Sequence, residues 1–367
     1  MTPIGTILRQ RIEQNGPITV AEYMATVLQH PEHGYYRKSE PIGATGDFIT
    51  APEISQMFGE MIGLWCIETW QRLGRPGPFA LVELGPGRGT LMADILRTAK
   101  VAPAFAAAMR LHLVESNAAL RTAQRLALSG AEPTWHDDLG TVPALPMIVI
   151  ANEFFDALAI HQIEQTAKGL CERRVTYDPA QARFAFVAGP VDPKARAALV
   201  DDPRRDLSAG AVIEVCPDGL AICRQIARCI GKNGGAALII DYGPAISAAG
   251  DSLQAVRHHR PHPVLDAPGK ADLTAHVDFA ALARAATAEG AAAHGPVEQG
   301  LWLRRLGIEL RAKRLMARAT PAQAAGIRKA LARLVAPNAM GALFKVLALA
   351  PRGIPGLAGF EMEAAPC

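Results

Sequence analysis

Gly85, Gly87 and Gly89 stand in the run ELGPGRGTL of a 367-residue chain. Such a run between a strand and a helix can hold a small anionic group. Without Cβ atoms the turn closes tightly and its N–H groups approach a ligand, while the N-terminus of the next helix favours negative charge. The spacing is G-x-G-x-G, not the G-x-G-x-x-G of a dinucleotide-binding turn. Glu83, just before the first glycine, is awkward beside a pyrophosphate but suits a ligand with an amino group. S-adenosylmethionine offers both features: a carboxylate for the N–H groups and an ammonium for carboxylates or carbonyls. A merely structural turn is the alternative; the strand before it and the helix after it favour the binding reading.

Glu115 and Ser116 lie in LVES, about 25 residues past the last glycine, near the distance at which an acid meets ribose hydroxyls in nucleotide-binding βαβ units. In WHDDL, Asp137 or Asp138 could accept a hydrogen bond from an adenine amino group, and either could equally cap a helix. Asn152-Glu153-Phe154-Phe155-Asp156 follows the apolar run PMIVIA, at the edge where open α/β sheets bind ligands. Asn152 is expected on the cofactor side. Methyl transfer from a sulfonium is an in-line displacement, so catalysis is largely positioning of the acceptor; Glu153, then Asp156, are the carboxylates placed for it. The bland reading makes Glu153 a helix cap and the phenylalanines core. Asp241-Tyr242-Gly243 ends a later strand and could touch substrate or simply form a turn. His258, His259, His262 and His276 are interrupted by Pro261 and Pro263, with no carboxylate at helical spacing, so no metal is expected.

The elements that must position these groups are legible in part. Ile4 to Gln14 reads as a helix, and Thr19 with Glu22 forms a capping box for a second. Residues 34–50 read as loop and Glu53 to about Leu73 as a helix. From Phe79 the runs FALVEL, RLHLVE and PMIVIAN alternate with helices, which predicts a parallel sheet covered on both faces. AIHQIEQ, CERRVTY and RFAFVAG read as an inserted meander. The parallel pattern then resumes with AVIEV and AALIIDYG, 244–276 is a long loop, 301–335 holds basic helices, and LFKVLALAP is a late strand. The expected fold is therefore α/β: a doubly wound, mostly parallel sheet with an N-terminal helical segment and lid loop (1–78), a cofactor-binding half (79–156), an inserted meander (157–210), and the second half of the sheet (211–367).

Hydrophobic residues make up 50% of the chain and charged ones 20%, with a net charge of +3. That is a globular composition, and too little charge for nucleic-acid binding by bulk electrostatics. No apolar run approaches the roughly 20 residues of a membrane span. The first residues, MTPIGTILRQRIEQNG, lack an apolar h-region and carry Glu13, so a cytoplasmic protein is expected.

Longer blocks carry a resemblance. GDFITAPEISQMFGE (Gly46 to Glu60), ELGPGRGTL, ANEFFDAL, LIIDYG, SLQAVRHH, PGKADLTAHVDF and QGLWLRRLGI occur in this order. In these blocks the chain resembles the MidA-type methyltransferases, whose mitochondrial members are assembly factors of respiratory complex I. The resemblance implies a class I methyltransferase fold, S-adenosylmethionine as cofactor, and symmetric dimethylation of an arginine in a complex I core subunit. It also implies Asp47 and Thr50 as a lid over the cofactor. Glu153 would then hold the guanidinium bidentately, as glutamates do at this point of arginine methyltransferases; their second glutamate has no obvious match. The expected partner is a protein substrate, with a homodimer as a possible assembly. Competing readings are a non-catalytic cofactor-binding chaperone and an NAD-dependent oxidoreductase, the latter opposed by Glu83 and the glycine spacing.

Overall fold

The computed structural model describes residues 1–37, 50–167, 169–200, 202–204, 208–354 and 356–361. Asp47 lies outside them. The chain divides into two units, one made of Met1–Ile49, Phe155–Ala221 and Ile246–Ala281, the other of Thr50–Phe154, Ile222–Ala245 and Leu282–Cys367.

The second unit holds the glycine turn. Its sheet has seven strands: β1 (Phe79–Leu84), β2 (Met109–Val114), β3 (Thr134–His136), β4 (Met147–Asn152), β5 (Gly235–Tyr242), β6 (Ala291–Glu298) and β7 (Phe344–Pro351). Their order is β6-β7-β5-β4-β1-β2-β3. β5, β4, β1, β2 and β3 are mutually parallel, and β7 runs antiparallel to both β5 and β6. The chain leaves β1 toward β2 and β3, then returns to β4 on the other side of β1. That reversal puts the carboxyl ends of β1 and β4 side by side, with Leu84 opposite Ala151, at the switch point where open α/β sheets leave a crevice.

The strands form because they are nearly continuous apolar runs, and every residue of β1 and β4 is buried. Helices α1 (Ala51–Ile54), α2 (Gln56–Arg72), α3 (Thr90–Ala99) and α4 (Ala118–Ala127) belong to this unit. α2 sits against α3 so closely that a Cβ on Gly59 would lie 2.5 Å from that of Asp94. Phe58, Trp65, Leu81, Ile95, Ile150 and Trp302 share one core cluster, each such side chain contributing about 1.5–3 kcal/mol by burial.

The first unit has its own antiparallel sheet. His161–Thr166, Gly169–Asp178 and Arg183–Gly189 form the expected meander. Ile18–Thr19 pairs along its edge. Helices Pro3–Asn15 and Val20–Gln29 pack their apolar faces in the cluster of Leu8, Tyr23, Met24 and Val175. The expected capping box is present: Thr19 Oγ1 accepts from the Glu22 N–H at 3.0 Å, and Glu22 accepts from the Thr19 N–H at 2.9 Å.

Four expectations are corrected. The helix expected over 53–73 is broken at Ser55, which is extended and whose hydroxyl caps α2 at the Met57 N–H. Val212–Val215 does not continue the parallel sheet; it pairs antiparallel with His161–Thr166, because a short run with three apolar residues of four fits a meander edge as well as a buried parallel strand. The loop expected over 244–276 contains three short strands, Gln254–Arg257, Arg260–His262 and Asp272–Thr274. His258 and His259, both at positive φ, form the two-residue turn of a hairpin. β6 had no expected counterpart.

Candidate active site

The chain leaves β1 at Gly85, φ +61°, whose N–H donates to the Val114 carbonyl at the end of β2 (3.0 Å). A Cβ here would lie 2.9 Å from the Phe154 ring, so glycine is required by conformation and by space. Gly87 (φ +53°) and Gly89 (φ +85°) are also left-handed, and Gly89 is the N-cap of α3. Thr90, the first residue of α3, donates its hydroxyl to Glu53 Oε1 at 2.6 Å.

Glu83 is 3% exposed, and Oε2 has no hydrogen-bond partner among the described residues. Burial pushes its carboxyl up from 4.5 to about 8. Between those values the unfolded chain has released a proton that the folded chain keeps. The stability this gives the neutral acid is therefore complete below the window and lost as pH rises through it. Glu83→Gln stays neutral, so its melting temperature should gain on the wild type as pH rises from roughly 5 to 8. A difference in melting temperature that does not change with pH would show the carboxyl already ionised in the fold.

Glu115 follows β2 and is 9% exposed. Its Oε1 accepts the Asn117 N–H at 2.7 Å, and Oε2 accepts Gln124 Nε2 at 3.4 Å. Ser116 beside it is exposed. Gln124 is fully buried; the same Nε2 donates to the Gly87 carbonyl at 2.8 Å, and Oε1 accepts the Trp135 indole N–H at 2.8 Å. Trp135 lies in β3, with the Arg125 guanidinium 4.5 Å from its ring centroid. Asp137 is exposed and paired with Arg121 at 2.6 Å, while Asp138 accepts the Gly140 N–H at 2.7 Å and caps the turn Leu139–Thr141.

At the end of β4, Glu153 is held at φ +50°, a conformation costly for any residue but glycine. Its N–H donates to the Ile240 carbonyl at 2.9 Å. Its Oε1 accepts the Ala51 N–H at 2.9 Å and Asn152 Nδ2 at 3.2 Å. Thr50 is the N-cap of α1 but makes no capping side-chain bond; Glu153 takes that place from across the fold. Asn152 Oδ1 is buried with no partner among the described residues.

The structure thus brings Thr50, Gly85, Gly87, Gly89, Glu115, Ser116, Asn152 and Glu153 to the carboxyl ends of neighbouring strands of one unit. Asp156 belongs to the other unit, where it is buried and its carbonyl accepts the Ala275 N–H at 3.0 Å. There burial first, then the charges of Asp272 and Asp156, hold the Tyr36 hydroxyl well above the usual phenol range. Asp241 is fully buried at the end of β5, and Oδ1 accepts the Tyr242 N–H. Sequence reasoning missed Gln124 and Glu53. The available signal for Gln124 was a polar residue four positions after Leu120, on the only buried stripe of α4.

Comparison with known proteins agrees with this geometry. Residues 61–297 match the family model of S-adenosyl-L-methionine-dependent methyltransferases. The mitochondrial protein arginine methyltransferase NDUFAF7 of Mus musculus is 40% identical over 377 residues, covering 96% of this chain and 85% of its own. That of Homo sapiens is 38% identical, covering 96% and 84%. A Burkholderia thailandensis protein crystallised with S-adenosyl-homocysteine superposes with a TM-score of 0.82 at 29% identity, covering 97% of this chain and 93% of that one. These relatives correct the cytoplasmic expectation, since the curated ones are mitochondrial; that expectation rested on sixteen residues whose composition says little about location. No helix of the described residues is long and apolar enough to cross a membrane. The fold is that of a methyltransferase, α/β with a mixed sheet; the chain uses S-adenosylmethionine and belongs to this family of S-adenosyl-L-methionine-dependent methyltransferases.

Proposed function

We propose that the methyl acceptor is an arginine of another protein and that the transfer takes place at the carboxyl ends of β1 and β4. The observation that carries the reading is Glu153. A strained backbone and two N–H donors fix its carboxylate at the end of β4, the strand paired with β1, and a charge fixed before substrate arrives costs no reorganisation during reaction. The curated relatives are named protein arginine methyltransferases, which supports the acceptor class. The MidA-type blocks extend the reading to a complex I core subunit as acceptor and to Thr50 as a residue over the cofactor. The return of the chain from β3 to β4 supports a doubly wound sheet, because right-handed crossovers on either side of β1 place helices on opposite faces. The 157–210 insertion suits a protein substrate.

The residues present fit the cofactor. Gly85, Gly87 and Gly89 would take its carboxylate at the start of α3, and the unpaired Oε2 of Glu83 would take a donor from its amino group. Glu115 and Ser116 would meet the ribose. Asp138 or Asp137 would meet the adenine at the end of β3, and the unpaired Oδ1 of Asn152 would face the same pocket. When bound, the sulfonium supplies the methyl carbon. Glu153 then pairs with the guanidinium, which is protonated in water, and draws its charge away from the nitrogen whose lone pair attacks. That nitrogen would take the methyl group as the methyl's bond to sulfur is lost, and the proton it sheds would pass to solvent.

Incubating the protein with methyl-labelled S-adenosylmethionine and lysate of a deletion strain tests this reading. A labelled complex I core subunit with the label on arginine is expected by mass spectrometry. Label confined to small molecules, or none despite cofactor binding, would overturn it, the second outcome favouring a chaperone.

A further inference from the structure

Gln124 is the one fully buried polar side chain of α4; Leu120 is the other buried residue there, and the remaining side chains face outward or are half-buried. It is not left over from the packing, because one amide joins three separate chain segments. Nε2 donates to the Gly87 carbonyl (2.8 Å) and to Glu115 Oε2 (3.4 Å), and Oε1 accepts the Trp135 N–H (2.8 Å). The Gly turn follows β1, Glu115 follows β2 and Trp135 lies in β3, so the amide ties together three successive strand ends. An amide suits this place because it donates twice and accepts at once. Leucine would leave a carbonyl, a carboxylate oxygen and an indole N–H without this partner, and glutamate would set a second carboxylate against Glu115.

We infer that Gln124 is a positioning residue for the cofactor: it holds the carbonyl side of the glycine turn and the Glu115 carboxylate in register, so that the amino-acid end and the ribose of S-adenosylmethionine are bound together. The inference rests on the cofactor lying at the glycine turn and Glu115. The second Glu115 oxygen is held by Gln124 and the first by the Asn117 N–H, which sets the carboxylate's orientation before the ribose arrives. Preorganisation of this kind acts on affinity.

Gln124→Leu should weaken binding of S-adenosyl-homocysteine, read by calorimetry, by roughly tenfold to a hundredfold. The loss should fall on KM for S-adenosylmethionine rather than on kcat. Gln124→Glu gives a sign that a merely structural role would not. Ionised, it repels Glu115 and cannot donate to Gly87; protonated, its O–H can donate again. Its affinity relative to wild type should therefore recover as pH falls from about 8 to about 5.5, since burial beside a like charge raises a carboxyl's pKa. Gln124→Leu should show no such recovery.

Gln124→Leu and Gln124→Glu binding as wild type at every pH, while Gly87→Val fails to bind, would overturn the inference and leave the site standing. Failure of the wild type itself to bind S-adenosyl-homocysteine would overturn the site. Should Gln124→Leu not fold, the pH dependence of Gln124→Glu decides alone.

Discussion

Gly87→Val is expected to abolish measurable binding of S-adenosyl-homocysteine, a loss of at least about a hundredfold, while the fold survives. Gly87 sits at φ +53°, where a β-branched side chain is a genuine outlier. A valine therefore either strains the turn or turns its N–H groups away from the ligand. Its carbonyl is also the acceptor for Gln124 Nε2, so a rotated peptide would release that amide too. The turn lies outside the cluster of Leu81, Ile95 and Ile150, so circular dichroism should be unchanged and the melting temperature only a few degrees lower, the shift that about 1–2 kcal/mol of left-handed strain gives. Near-normal affinity in calorimetry would make Gly87 mere punctuation.

Glu153→Gln is expected to cut methyl transfer by roughly a hundredfold, about 3 kcal/mol of transition-state stabilisation, with cofactor affinity within a few-fold of wild type. The structure makes the substitution clean. The glutamine Oε1 can still accept from the Ala51 N–H and Asn152 Nδ2, as the glutamate does, so α1 keeps its cap and only the charge is lost. Single-turnover assays with the labelled protein acceptor separate the outcomes. Full activity in Glu153→Gln would reduce Glu153 to the cap of α1. Loss of cofactor binding together with activity would make it part of the cofactor's wall.

Most of what holds this site was legible because it is local. A glycine run between an apolar strand and a helix, and an acid at the next strand end, need only strand and helix periodicities to be read. What could not be read depends on contacts made at a distance. Glu153 reads as either a substrate carboxylate or a helix cap, but nothing local shows that the helix it caps starts at Ala51, whose N–H its Oε1 accepts from 102 positions away. Gln124 was passed over, because the indole N–H that it accepts belongs to Trp135 and is brought to it only by β3. β3 itself, three residues long, was too short to show a period. Val212–Val215 was given to the wrong sheet because the partner of a short apolar run is set by the topology around it. Ser55 broke a helix whose hydrophobic pattern ran through it unbroken.

A crystal structure with S-adenosyl-homocysteine bound tests the central claim most directly. The ligand's amino-acid end should lie on Gly85, Gly87 and Gly89 at the start of α3, with both ribose hydroxyls on Glu115 and the sulfur turned toward Asn152 and Glu153. A ligand seated elsewhere, or one whose ribose does not reach Glu115, would contradict it.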